Sequence, residues 1–261
     1  MQSMPFDVAE FVHYQIANAA LRTYPFAHFY VQPIFPQAFY ARMLETLPDT
    51  EALTPINEYG TVGRLDKTTG KLVKSPFEPR YLAELSVLEA EEAAAFGGTS
   101  DVWSSIARWI LGDRFRDLII GKFMDGIRAR FGADARLVTT VEARFVRDMT
   151  DYSIKPHTDT PRKLVSLLFY LPADDALQAL GTSLYVPKDP AFRCPGEKRH
   201  PFEQFNKVMT AGFLPNSLLG FLKSDQAFHG VEVIRQPRIE RNLLLYNIYL
   251  EKVVAPARAA A

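Results

Sequence analysis

From Leu137 onward, β-branched and aromatic residues gather into short runs separated by turn residues, and this texture constrains the fold more than any other feature of the chain. The runs are Leu137–Arg147, Leu164–Leu171, Ser183–Val186, Leu218–Lys223, Ala227–Val231 and Asn242–Leu250. Such residues suit a pleated surface, and the spacing of the runs predicts a β-sandwich or barrel.

The preceding half reads as mainly helical. Phe6, Phe11, Val12, Ile16 and Ala19 recur at helical spacing, and Pro36–Leu47 predicts a second helix with Pro36 in its first turn and Pro48 stopping it. The aromatic stretch Tyr24–Val31 between them suits a strand, with His28 in a packing role. Residues 53–80 are interrupted by Gly60, Gly63, Gly70, Pro55, Pro76 and Pro79 and read either as an active-site flap or as a solvated loop. Two helices follow, one with an apolar face of Val102, Ile106, Trp109 and Ile110, the other with Phe115, Leu118, Ile119, Phe123, Ile127 and Phe131. The tail Ala255–Ala261 is expected to fray. No repeat or linker divides the chain, so helices around one β-core over residues 1–261 are expected, with a mainly helical part at 1–135 and the core at 136–252.

Lysine plus arginine equals aspartate plus glutamate at 30 each, so no net field attracts nucleic acid or an anionic membrane. A single cysteine, Cys194, excludes an intrachain disulfide and a multi-cysteine zinc site and is read as a small apolar filler. The segment MQSMPFDVAEF lacks a basic stretch followed by an apolar run, and no long apolar run follows, so a cytoplasmic protein without a membrane partner is expected.

Candidate chemistry lies in the β half. His157-Thr158-Asp159 places an imidazole and a carboxylate two residues apart, which on extended backbone puts both on one side. His229, in Ala227-Phe228-His229-Gly230-Val231, supplies a third donor. Two histidines and one carboxylate on one face of an octahedral ion leave three positions open, the arrangement of non-haem iron(II) oxygenases, whereas zinc more usually takes a tetrahedral set. His13, His28 and His200 lack such a context.

The stretch 137–250 resembles the double-stranded β-helix (jelly-roll, cupin-like) core of the 2-oxoglutarate/iron(II) oxygenases, in particular their prolyl-hydroxylase-like branch. The residues that carry the resemblance are Pro156-His157-Thr158-Asp159-Thr160-Pro161, Leu167–Pro172, Gly181–Tyr185, Asn216–Phe221, Phe228-His229-Gly230-Val231 and Arg241, in that order. The resemblance implies an α+β fold in which helices pack on that core, with iron(II) on His157, Asp159 and His229. It also implies 2-oxoglutarate as cosubstrate and dioxygen as oxidant.

In such enzymes a basic residue after the distal histidine binds the far carboxylate of 2-oxoglutarate, a task for which a planar guanidinium is suited. Arg235, Arg238 and Arg241 compete for it, and Arg241 is preferred because it opens the run Asn242–Tyr249. The family pattern has serine or threonine two residues later, where this chain has Leu243; Tyr170 and Ser166, on one face of one strand, are the candidates for a replacement hydroxyl. Tyr170 read without that role is a core aromatic. Arg147 and Asn247 are candidates for the active-site wall.

The implied reaction oxidises 2-oxoglutarate to succinate and carbon dioxide while a substrate C–H bond is hydroxylated. Halogenases of the superfamily replace the carboxylate ligand with a small residue, so Asp159 favours hydroxylation or a related oxidation. A small molecule such as an amino acid or natural-product intermediate is the first choice of substrate, and a protein side chain the next. Two other classes stay open: a non-catalytic jelly-roll module that binds a ligand or metal, and a metal-dependent hydrolase, which would need a general base beside the metal.

Overall fold

A computed structural model of the chain describes residues 7–55, 63–65, 72–74, 80–88, 100–196 and 198–254. It is a mixed α/β structure with two larger antiparallel sheets and, among the described residues, five α-helices. The helices are α1 (Val8–Asn18), α2 (Gln37–Glu45), α3 (Ser100–Ile110), α4 (Asp113–Lys122) and α5 (Met124–Phe131). The first starts on an Asp7 side chain that accepts a hydrogen bond from the Ala9 N–H and satisfies an otherwise unpaired helix donor. Pro36 stands just before α2, as its cap.

Five short strands lie between the helices of the first half: β1 (His28–Val31), β2 (Thr54–Pro55), the paired β3 (Gly63–Leu65) and β4 (Leu72–Lys74), and then β5 (Arg80–Glu84). The second half supplies β6 (Arg136–Met149), β7 (Ile154–His157), β8 (Lys163–Tyr170), β9 (Thr182–Pro187), β10 (Phe205–Ala211), β11 (Ser217–Leu222), β12 (His229–Val231) and β13 (Glu240–Val254). The larger sheet runs β1-β11-β8-β13-β6-β5-β2 and the smaller β10-β9-β12-β7.

Strand alternation divides the larger sheet into two working faces. Phe145, Leu167, Phe169, Leu244, Tyr246 and Ile248 face the helices, where Trp103 meets Phe145 and Phe115 meets Tyr246 edge to face at 5.5 and 5.0 Å. Val146, Tyr170, Leu219, Phe221 and Leu243 face the other way and share a core with Leu184 and Ala211 of the smaller sheet. Because β13 is buried on both faces over its first half, Asn242–Leu250 shows an almost unbroken apolar run instead of alternation.

Several expectations need correction. Of Tyr24–Val31 only His28–Val31 is strand. The stripe Phe115–Phe131 is two helices with a break at Phe123, whose backbone leaves the helical region, although Phe115, Ile119, Phe123 and Ile127 all stay buried. Strands β5 and β10 were not expected. The sequence Phe205-Asn206-Lys207-Val208-Met209-Thr210-Ala211 is polar at several positions because β10 is the outer strand of its sheet, with Asn206 and Lys207 exposed. Within 53–80, β2, β3, β4 and Arg80 are described; most of the remaining segment, and hence its reading as a flap, lies outside the described residues, as do Phe6 and Ala255–Ala261. No described helix is long and apolar enough to cross a membrane.

Candidate functional site

Strands β7 and β12 are antiparallel neighbours in which His157 is paired directly with His229. Directly opposed residues project from the same face. The two imidazoles therefore lie side by side, with ring centroids 4.4 Å apart. Each ring is fixed by the carbonyl two residues before it: Nδ1 of His157 is 3.0 Å from the Lys155 oxygen, and Nδ1 of His229 is 3.0 Å from that of Ala227. In a neutral ring this makes Nδ1 the donor and leaves the Nε2 lone pair for a metal.

Asp159 follows on the segment leaving β7. Its Oδ2 accepts from Ser166 Oγ at 2.8 Å, its Oδ1 accepts from Lys163 Nζ at 3.0 Å, and Oδ1 lies 4.0 Å from His229 Nε2. One donor atom from each of His157, Asp159 and His229 falls within 4.8 Å of the others. Two nitrogens and one oxygen so gathered fit an octahedral ion that keeps further positions open.

The close approach of β12 to β7 requires a glycine. A Cβ on Gly230 would lie 2.6 Å from the Ile154 carbonyl oxygen, which is backbone and cannot swing aside. Gly230→Ala is therefore expected to push β12 from β7, part His229 from His157, and weaken divalent-metal affinity at least tenfold. Calorimetric titration of the metal-free variant checks this.

Electrostatics keep the cluster ready for a cation. Burial and then the neighbouring His229 lower the His157 imidazole to about 3, and burial lowers His229 as well. Burial alone would raise the Asp159 carboxyl, but the Lys163 ammonium, both imidazoles and the Ser166 hydroxyl outweigh it and hold the group below the usual carboxylate range. At neutral pH the site thus offers two neutral imidazoles and a carboxylate, the protonation states that metal binding demands.

The sign for stability follows. An unfolded His157 takes up a proton below about 6.5, whereas the folded ring refuses it until about 3, so the unfolded state binds more protons across that interval. Metal-free protein is expected to lose stability as pH falls from about 6.5 toward 3, with Asp159 adding to the loss at still lower pH. Urea midpoints at pH 7 and pH 5 measure it.

The three residues open onto a cavity of about 230 Å³ between the sheets. Leu168, Phe221, Leu243 and Leu245 form an apolar wall, and Arg241, Thr182, Arg80, Lys163 and Asn247 supply polar groups. Arg241 is fully buried; its Nη1 donates to Asp148 Oδ2 at 2.6 Å, its Nε to the Leu180 carbonyl at 2.7 Å, and its Nη2 lies 3.4 Å from Thr182 Oγ1. Arg235 and Arg238 are exposed and do not line this cavity.

The other candidates divide. Ser166 lines the cavity, but its hydroxyl is directed to Asp159. Asn247 lines it too and donates to Glu142 at 3.0 Å. Tyr170 does not line it: the hydroxyl accepts from the Thr182 N–H at 3.3 Å, and the ring packs on Phe213 with the Arg241 guanidinium 5.6 Å away. Arg147 projects from the opposite face of the sheet, where it donates to Asn242 and Thr50 at 2.8 and 2.7 Å and pairs with Glu240, so it is no part of the cavity wall.

Sequence reasoning missed Lys163, Thr182, Asp148 and Arg80. Thr182 stands where a hydroxyl was sought for Arg241, but on β9, a strand distant in sequence. Asp148 and Arg241 are opposed across β6 and β13, a pairing that only the register reveals. Cys194 is buried as expected, with its sulfur 3.5 Å from His200 Nε2. His13 stacks on Phe115, and His28 is buried with Nδ1 on the Phe26 carbonyl.

No model of a known protein family matches the chain, and no curated protein matches it. Among solved structures it is similar to a prolyl-4-hydroxylase of Pseudomonas putida, at 15% identity and TM-score 0.46 over 92% of this chain and 97% of that one. It is similar to a dioxygenase for auxin oxidation from rice, at 17% identity and TM-score 0.43 over 93% and 78% of the two chains. A third is HygX from Streptomyces hygroscopicus, solved with nickel, 2-oxoglutarate and hygromycin B bound, at 12% identity and TM-score 0.40 over 85% and 82%. The solved structures that this chain is similar to include prolyl hydroxylases and other 2-oxoglutarate/iron(II) oxygenases.

Proposed function

We propose that this chain is an iron(II)- and 2-oxoglutarate-dependent oxygenase that hydroxylates an unactivated C–H bond of a small molecule, with release of succinate and carbon dioxide. The observation that carries the reading is the convergence of His157, Asp159 and His229, each aimed by its own hydrogen bond, at a cavity that also holds the buried Arg241. On this reading the two sheets are the halves of a double-stranded β-helix, and β7, β12 and β13 deliver the metal ligands and the basic residue.

His157, Asp159 and His229 would hold iron(II), which together with 2-oxoglutarate and dioxygen supplies the oxidising chemistry when bound. The protein's part is placement. Ser166 fixes the Asp159 carboxylate, the Lys155 and Ala227 carbonyls fix the imidazole tautomers, and Arg241 with Thr182 receives a carboxylate. Leu168, Phe221, Leu243 and Leu245 keep water from the space between. A small substrate accords with the size of the cavity and with a chain of zero net charge.

The test is an aerobic assay of succinate formed from 2-oxoglutarate, with iron(II), ascorbate and a panel of amino acids and natural-product scaffolds. Succinate that depends on iron and rises with one scaffold is expected. No succinate above a metal-free control, with or without any scaffold, sinks the proposal.

A further inference from the structure

Arg241, Leu243, Leu245 and Asn247 line the cavity in turn along one face of β13, over roughly 20 Å of strand. Asn247 is paired with Ser166 of β8, and Tyr249, two residues on, with Lys163. Ser166 holds the Asp159 carboxylate, so the metal cluster lies toward the Asn247 end. Lys163 lines the cavity there, at the end opposite Arg241. A carboxylate received by Arg241 and Thr182 therefore makes no use of Lys163.

Lys163 is short of partners. An ammonium can donate three hydrogen bonds. Among the described residues Lys163 Nζ donates one, to Asp159 Oδ1 at 3.0 Å, and its side chain is nearly buried. The Glu142 carboxylate on the neighbouring strand is already taken, by Asn247 Nδ2, Tyr249 Oη and Arg144 Nη2 at 3.0, 3.3 and 2.8 Å. Asn247 Nδ2 keeps a second N–H.

The one bond that Lys163 has is also exposed to competition. Oδ1 is the Asp159 oxygen nearer to His229 Nε2, at 4.0 Å, while Oδ2 is held by Ser166. A metal on the cluster would therefore take Oδ1. A dication on that oxygen repels the ammonium beside it and weakens its hydrogen bond. A nearly buried ammonium that loses its counter-charge favours any bound molecule that brings an anion to it.

We infer that Lys163, with the Asn247 amide, is the site that selects the substrate, and that the group it receives is a carboxylate. The inference rests on the oxygenase reading and narrows its small-molecule substrate to an acid. One ammonium and one neutral amide match a singly charged group better than a phosphate dianion. In the metal-free chain Asp159 occupies the ammonium; metal loading releases it toward the cavity, so the acid binds after the metal.

The test uses the full chain. In anaerobic calorimetry, metal-free Lys163→Met should bind iron(II) tenfold or more tightly than the unaltered chain, because the competing cation is gone. Unchanged or weaker binding overturns the release of Lys163 by the metal. The substrate group is read in the succinate assay at saturating iron(II), with amino acids and other carboxylic acids each set beside its carboxamide. An acid should raise succinate where its carboxamide does not. Lys163→Met should raise the KM for that acid tenfold or more while the calorimetric affinity for 2-oxoglutarate stays unchanged, and Lys163→Arg should recover part of the loss. Thermal melting of the iron-loaded variants verifies the fold. Carboxamides as effective as their acids, no acid that raises succinate, or an unmoved KM overturns the assignment. If the unaltered chain takes up iron but binds no 2-oxoglutarate, the oxygenase reading falls and this inference with it; if it binds both, a failure in the acid series falls on this inference alone.

Discussion

Asp159→Ala is expected to abolish iron(II) binding and to destabilise the metal-free chain as well, a double effect that no imidazole ligand should reproduce. The carboxylate is the only anionic member of the cluster and is also the counter-charge of the nearly buried Lys163 ammonium. Removing it strands that cation. Breaking a buried pair on one side costs about 3–5 kcal/mol; because 15% of the Lys163 side chain stays exposed, we expect the lower end, about 3 kcal/mol. His157→Ala removes a neutral ring and should likewise lose iron, but with a smaller loss of stability. In the double variant Asp159→Ala/Lys163→Met stability should return while iron binding does not. Urea midpoints of the metal-free proteins, together with anaerobic iron titrations, separate the two effects. A stable Asp159→Ala chain would show that Lys163 finds another partner.

Asp148→Ala should be the most destabilising single substitution at the site. It takes from Arg80 and Arg241 the buried carboxylate that both donate to, Arg80 being opposed to Asp148 across β5 and β6 and Arg241 across β6 and β13. Both ion pairs are lost together, and removal of one partner from a buried charge network costs about 3–5 kcal/mol. At roughly 2–4 °C per kcal/mol for a chain of this size, the melting temperature should drop by roughly 6–20 °C. Adding Arg80→Met should restore much of it, since one arginine with the Leu180 carbonyl and Thr182 hydroxyl is easier to accommodate than two. A melting temperature within roughly 2–3 °C of the unaltered chain, about 1 kcal/mol, would mean that the ion pairs of Asp148 with Arg80 and Arg241 contribute little.

What could be read from the sequence, and what could not, follows from the range of the forces involved. The runs that became β6, β8, β9, β11 and β13 were legible because burial is written locally, in consecutive β-branched and aromatic residues. His157, Asp159 and His229 could be named because two of them are near neighbours and the third stands in its own apolar run. Arg147 was misplaced for want of register: it adjoins Asp148, and a shift of one residue on a strand exchanges the cavity for the opposite face. Lys163 gave no signal, because its approach to Asp159 depends on the turn between them. Tyr170 and Ser166 do share a face of β8, but their hydroxyls are claimed by the Thr182 N–H and by Asp159, choices made across the sheets. Arg80 was hidden most deeply, at the end of a Gly- and Pro-interrupted stretch whose pairing with β6 nothing in its own composition announces.

The central claim is that His157, Asp159 and His229 hold iron(II) with room for 2-oxoglutarate to chelate it. Anaerobic addition of iron(II) and then 2-oxoglutarate, followed in the visible spectrum, measures this most directly. A weak metal-to-ligand charge-transfer band should appear only when both are present, saturate at one equivalent of each, and be missing in His157→Ala. Absence of the band from the unaltered chain, or its survival undiminished in His157→Ala, would contradict the account.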